Sequence, residues 1–370
     1  MTSEDQVTLT AFQKAMVRAG KPFVSYRLPG EKLPVTIFGP DEFVKLSSFS
    51  SLLDQTDGFV MAPFEENGTL WWLPAENKVE GDSVERLYLP RVSDRKTEFP
   101  SVMPAPPDKE QYIRMVSDAI HHIERGEAGK IVLSRPIVHL WRDAAEQSGR
   151  LFVTLCEMYP SAFVYLACMP GMGLWTGASP ELLLQKNDSG IHTISLSGTR
   201  AASMGNIPWG DKETNEHLWV SRFIAEQLEF LGCENMEVSP MHTVSAGRIE
   251  HLRTTFSATI SDSRTASLIY ALHPTPAVCG WPTLSAYSLI RSIENYDRSF
   301  YTGFMGPLRN RNDFSFFVNL RCMNLLKDQA VIYVGGGITI DSDPEAEWNE
   351  TEMKSRTMLG AIEKLANFAD

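Results

Sequence analysis

The chain has 370 residues, with 34 Lys and Arg against 46 Asp and Glu, and a formal net charge of −12. Such a length can bury a large core in one or two domains, and an acidic balance without any Lys/Arg cluster excludes a duplex nucleic-acid face, where phosphate neutralisation supplies most of the affinity. The opening residues MTSEDQVTLTAFQKAM lack the pattern of a secretory leader, no run of about 18 apolar residues marks a membrane span, and five scattered cysteines without a C-x-x-C read as reduced, mostly buried thiols, so a cytoplasmic protein is expected.

In chain order, short strand-like runs come first: PFVSYRL (22–28), PVTIFG (34–39), GFVMAPF (58–64) and TLWWLP (69–74). A proline-rich polar stretch, RVSDRKTEFPSVMPAPPDKEQYIRMV (91–116), reads as a seam that turns helical at Lys109. It divides the chain into 1–105 and 106–370. An amphipathic helix follows, KEQYIRMVSDAIHHIERGE, stopped by Gly126 or Gly129, and then the β-branched run KIVLSRPIVHL (130–140). Residues 161–200 read as a meander with a Pro-Gly turn and an Asp-Ser-Gly turn. GMGLWTG (171–177) and GEAGKI (126–131) fit neither the dinucleotide nor the Walker spacing, so neither is a phosphate loop. Strands come in bunches rather than in strict alternation with helices, which points to an α+β build with large antiparallel sheets.

Two helices carry carboxylates on the wrong face. In DKETNEHLWVSRFIAEQLEFLG (211–232), the side chains of Trp219, Val220, Phe223, Ile224, Leu228 and Leu231 share one face, and Glu216 lies on it one turn before Val220. In the helix over 345–368, Pro344 suits the start and Ser342 or Asp343 can cap it. Met358, Ala361, Ile362 and Leu365 form its apolar stripe, and Glu345, Glu352, Arg356 and Glu363 its solvated face. Glu347, Glu350 and Lys354 fall in line with the apolar stripe. One reading is an i,i+4 Glu350–Lys354 pair on a frayed first turn. The other is a pair of helix starts sharing a hard cation, because an isolated ionised carboxylate is too costly to bury.

With these features stands an ordered series of motifs: GKIVLSR (129–135), WTGASPELLL (175–184), SLSGTR (195–200), NEH (215–217), HL (251–252), HPTPAVCGWP (273–282), YTGFMG (301–306), NLRC (319–322), VGGGI (334–338) and DPEAEWNETEMK (343–354). Each is weak alone; in this order they are specific. From about Lys109 to the end the chain resembles the chorismate-utilising enzymes: the isochorismate, salicylate, anthranilate and aminodeoxychorismate synthases. Within that group it most resembles the isochorismate synthases. Residues 1–105 match less clearly and are taken as the start of the same fold. The resemblance implies a large α/β/β/α sandwich, with two antiparallel sheets packed inside helices around a cleft that binds Mg²⁺.

It also implies roles. On local sequence Lys130 reads as a strand-end lysine reaching for water, and Glu181 as an exposed turn residue. The resemblance makes Lys130 the base that activates water and Glu181 the acid at the leaving oxygen. Glu216 and Glu350 become Mg²⁺ ligands, with Glu347 acting through water, and Lys354 helps to neutralise the ring carboxylate. Arg321 holds the enolpyruvyl carboxylate with Tyr301 and backbone near Gly336 and Gly337. Gly198, Thr199, Ala277 and Val278 shape the ring pocket. His251 lies beside the leaving hydroxyl or is a satisfied core histidine. Lysine rather than glutamine at 130 implies water as the nucleophile, so no amidotransferase subunit is expected and a monomer suffices. The salicylate synthases, which continue to salicylate by eliminating pyruvate, are the nearest rival, and anthranilate or aminodeoxychorismate synthase component I the next. The chain departs from the family pattern at Ser197, where alanine is usual, and in GGGI in place of GAGI. The product would feed menaquinone or siderophore biosynthesis.

Overall fold

A computed structural model of the chain describes residues 6–65, 69–90, 105–202, 207–246 and 249–366. Its helices are α1 (Leu9–Ala19), α2 (Phe49–Leu53), α3 (Lys109–Glu124), α4 (Ser148–Met158), α5 (Asp211–Phe230), α6 (Asp262–Leu272), α7 (Thr283–Ile293) and α8 (Pro344–Ala366). Most of the proline-rich seam, residues 91–104, lies outside the described residues. The helix expected after it is α3, where Asp108 and Gln111 form a reciprocal capping box.

Two large antiparallel sheets fill the middle. The nine-stranded sheet runs Gly280–Trp281, Lys130–Leu140, Gln329–Ile338, Cys322–Leu325, Gly173–Ser179, Phe163–Met169, Phe23–Arg27, Val35–Phe38 and Asn77–Glu80. The ten-stranded sheet runs Glu234–Val238, Ile249–Thr259, Gly190–Ala201, Leu182–Asn187, Asp313–Val318, Phe304–Asn310, Gly58–Ala62, Leu70–Pro74 and Val44–Leu46, with His242–Ala246 also paired to Ile249–Thr259. Strands from the first ninety residues therefore enter both sheets.

Period-two alternation builds the layers. In Phe163–Met169, the odd-numbered Phe163, Tyr165, Ala167 and Met169 meet Phe59, Met61, Met305 and Phe317 of the other sheet. The even-numbered Val164, Leu166 and Cys168 meet α1, α4 and α8. On the far side, Val60, Ala62, Phe314, Phe316 and Val318 pack on α2, α5 and α6. The order is helices, sheet, sheet, helices, as the resemblance implies. A third helical patch, α3 and α7, covers Ile131 and Leu133.

The meander expected over 161–200 is not one sheet. Phe163–Met169 and Gly173–Ser179 belong to the nine-stranded sheet, whereas Leu182–Asn187 and Gly190–Ala201 belong to the ten-stranded one. The chain changes sheets at Pro180, which has no N–H to give a ladder. A second change of sheet, from Asp313–Val318 to Cys322–Leu325, runs beside it. The two are laced together: Val318 N–H donates to Glu181 O at 3.0 Å, Ala178 N–H to Arg321 O at 3.0 Å, and Ser179 Oγ to Val318 O at 2.5 Å. Periodicity cannot show such a switch, because both segments keep their alternation through it. Glu181 and Arg321 stand where the sheets part.

Candidate active site

A cleft opens at this parting. Its walls include Lys130, Glu181, Gly198, Thr199, Glu216, His251, Ala277, Val278, Tyr301, Arg321, Gly336, Gly337, Glu350 and Lys354. Every site residue expected from the sequence is thus on its surface except Glu347, which lies behind it, 2 % exposed.

Lys130 opens its strand with Ile131 and Leu133 turned to the helices and with Lys130 and Val132 turned to the cleft. Its side chain is 2 % exposed, and Nζ lies 3.2 Å from Glu216 Oε2. Glu181 is 3 % exposed, and burial raises its carboxyl pKa to about 8, opposed only by the charge of Lys130. A carboxylic acid protonated near neutrality and an amine thus face one cavity. Neither is the exposed group that its local sequence suggests.

The acidic groups come from α5 and α8. Glu216 and Lys212 are one turn apart on α5, and Glu347 and Glu350 one turn apart on α8. Glu347 Oε1 accepts from Lys212 Nζ at 2.6 Å and from Ser342 Oγ at 2.7 Å. Glu350 Oε1 is 2.6 Å from Lys354 Nζ, which also donates to Gly335 O at 2.8 Å. The i,i+4 pair of the plain reading therefore exists, but inside the cleft. Burial and the charge of Glu350 raise the Glu347 pKa; burial also opposes charge on Glu350, but Lys354 outweighs it and holds that carboxyl ionised. Asp343, not Ser342, caps α8: its Oδ1 accepts from Ala346 N–H at 2.8 Å.

The three glutamates surround the backbone of Gly336 and Gly337. A Cβ at Gly336 would lie 3.1 Å from Glu347 Oε2 and 3.8 Å from Glu350 Oε1, and one at Gly337 would lie 2.9 Å from Glu216 Oε2. Hard oxygen donors around an open glycine cradle suit Mg²⁺. Among the described residues no three such groups stand gathered as a metal cage; each of these carboxylates meets a lysine instead.

His251 and Arg321 line a further part of the cleft. His251 Nδ1–H donates to Gly198 O at 2.6 Å, which fixes the tautomer and leaves Nε2 bare, 3.5 Å from Arg321 Nη2. Burial, then Arg321, lowers the His251 pKa to about 3, so the ring is neutral. Arg321 has φ +48° and Thr302 has φ +60°, a left-handed backbone that costs a non-glycine residue roughly 1–2 kcal/mol. Tyr301 is buried with its ring stacked on Tyr333.

The sequence reading missed several groups. Lys212, Glu213, Ser197, Thr302, Leu320 and Tyr333 also line the cleft. Lys212 had a readable signal, its i,i+4 spacing to Glu216. Ser197 explains itself in three dimensions: its Oγ lies 3.0 Å from His217 Nδ1, and His217 Nε2 lies 2.8 Å from Thr254 Oγ1. The hydroxyl that departs from the family pattern helps to fasten α5, and with it Glu216, to the sheet.

Comparison with known proteins agrees with this architecture. A family model described as chorismate binding enzyme matches residues 85–363, and the chain belongs to that family. Similar proteins include isochorismate synthase EntC of Escherichia coli K12, 30% identical over 266 residues that cover 69% of this chain and 68% of that protein. Isochorismate synthase DhbC of Bacillus subtilis 168 is 32% identical over 276 residues, covering 69% and 68%. Of solved structures, the menaquinone-specific isochorismate synthase MenF of Escherichia coli superposes with a TM-score of 0.79 at 19% identity, covering 98% of this chain and 93% of that one. A DhbC from Bacillus anthracis gives 0.77 at 24% identity, covering 96% and 99%. These superpositions establish the fold.

Proposed function

We propose that the chain is an isochorismate synthase, which isomerises chorismate by adding water at ring C2 and expelling the C4 hydroxyl. The observation that carries this reading is the buried cleft holding Lys130 and Glu181 together. Lys130 takes a proton from the attacking water as the C2–O bond forms. The ring double bonds shift, the C4–O bond breaks, and Glu181 gives its proton to the departing oxygen, so one water enters and one leaves. Arg321 and Tyr301 hold the enolpyruvyl carboxylate, since a planar guanidinium suits two-point binding. Lys354 and Lys212 bring positive charge to the ring carboxylate, and His251, neutral, packs against the ring without adding to that charge. Glu216, Glu350 and, through water, Glu347 would hold Mg²⁺, whose charge when bound would neutralise the ring carboxylate.

Purified protein given chorismate and Mg²⁺, without ammonia, is expected to release isochorismate. Salicylate plus pyruvate as the main product, or a requirement for ammonia, would overturn the assignment. Lys130→Ala and Glu181→Gln are each expected to lower kcat at least ~100-fold with unchanged circular dichroism. EDTA is expected to stop turnover and added Mg²⁺ to restore it.

A further inference from the structure

Beside the active cleft lies a second cavity, of about 230 Å³, which shares Pro180, Leu196, His251 and Arg321 with it. The active cleft measures about 110 Å³ on the same scale, so this cavity has room for a ring-sized guest. Leu196, Val244, Ile249 and Ala162 make its wall largely apolar. Among the described residues its charged side chains are Arg253 and Arg321, and no Asp or Glu lines it. Arg253 Nε is buried with no hydrogen-bond partner. Among the described residues Arg321 makes only long contacts, 3.4 Å to Lys354 O and 3.5 Å to His251 Nε2. The cavity sets two guanidiniums, one with an unpartnered Nε–H, against apolar walls, and the group that suits this combination is a carboxylate on an apolar body, whose desolvation the charge-assisted hydrogen bonds offset.

We infer that this cavity is a second binding site, taking a small ring-bearing monocarboxylate between Arg253 and Arg321. Arg253 belongs to this cavity alone; Arg321 faces both. One guanidinium therefore serves two guests. A carboxylate on the Arg253 side turns the fork away from the active cleft and weakens whatever carboxylate that cleft holds. This coupling rests on the reading of Arg321 as a substrate-carboxylate clamp, whereas the site itself does not.

The test is calorimetric titration of the wild-type protein and Arg253→Gln with benzoate, with benzamide lacking the charge and acetate lacking the ring as controls. Benzoate is expected to bind the wild type, and Arg253→Gln to weaken it about tenfold, the worth of one charge-assisted pair. Benzamide and acetate are expected to bind at least about tenfold more weakly than benzoate. Val244→Trp, which fills the cavity from its apolar wall, is expected to abolish the same binding and serves if Arg253→Gln fails to fold. Benzoate binding that both variants leave intact, no benzoate binding at all, or equal binding of acetate would overturn the site. Because this readout needs no turnover, it stands or falls separately from the assigned reaction. In the kinetic arm, benzoate is expected to raise the KM for chorismate in the wild type and to do so about tenfold less effectively in Arg253→Gln, whose own kcat and KM stay at wild-type values. An inhibition constant unchanged by that substitution would overturn the coupling.

Discussion

Gly337 shows how closely single residues are specified. An added Cβ there would stand 2.6 Å from Lys130 Cε, whereas at Gly336 it would stand 3.1 Å from the movable end of Glu347. Gly337→Ala is therefore expected to displace the lysine amine and lower kcat on the order of 100-fold, the scale of an ångström's misplacement. Gly336→Ala is expected to cost about tenfold or less, and steady-state kinetics of the two variants decides. Glu181 supplies a second test. Its raised pKa, about 8, means that the folded state keeps a proton which the unfolded chain has released above roughly pH 4.5. The folded state is thus penalised as pH climbs from there through about 8. Glu181→Gln removes that penalty and is expected to be more stable than the wild type at pH 9, by on the order of a few kcal/mol, while at pH 4 the two converge. Equal stability at both pH values in urea titrations would show that Glu181 is not a buried acid.

At the scale of elements, the walls of the cleft are joined by a buried ion pair that the sequence reading did not single out. Arg298 Nη2 is 2.6 Å from Glu294 Oε1, with both side chains 2 % exposed. Arg298 also donates to Val132 O at 2.6 Å and Val278 O at 3.0 Å, and Glu294 accepts from Ser134 N–H at 2.7 Å. The strand bearing Lys130, the loop bearing Ala277 and Val278, and the turn bearing Tyr301 thus meet on one guanidinium. Arg298→Met strands a buried carboxylate and is expected to cost roughly 3–5 kcal/mol. The double variant Glu294→Gln/Arg298→Met is expected to recover part of that loss, and no recovery in denaturant unfolding would refute the coupling. From sequence, an i,i+4 Glu–Arg pair reads as a solvated helix face. The actual site is the turn after α7, enclosed by Phe64, Val132, Ser134 and Val278, and no local pattern announces it.

Across the whole molecule, three histidines are held neutral by burial: His217 and His273, each with its pKa lowered to about 4, and His251, lowered to about 3. Each takes up a proton in the unfolded chain below about pH 6.5 but not in the folded one. Stability is thus fully present above that pH and is lost as pH falls toward 4, by up to about 1.4 kcal/mol per histidine for each pH unit. The thermal midpoint is expected to drop steeply between pH 6.5 and 5, and a flat profile there would mean that these rings are accessible to protons in the native state. The sequence by itself determined the elements, their apolar faces, the inward set of Glu216, Glu347 and Glu350, and the ordered motifs of the family, because periodicity and spacing are properties of neighbours along the chain. Only the tertiary structure decided that residues 161–200 split between two sheets, that each inward carboxylate meets a lysine, that Ser197 fastens His217, and that Arg298 ties three walls together. Those contacts join residues far apart in the chain, and their energies come from burial, which no segment possesses until the sheets close over it.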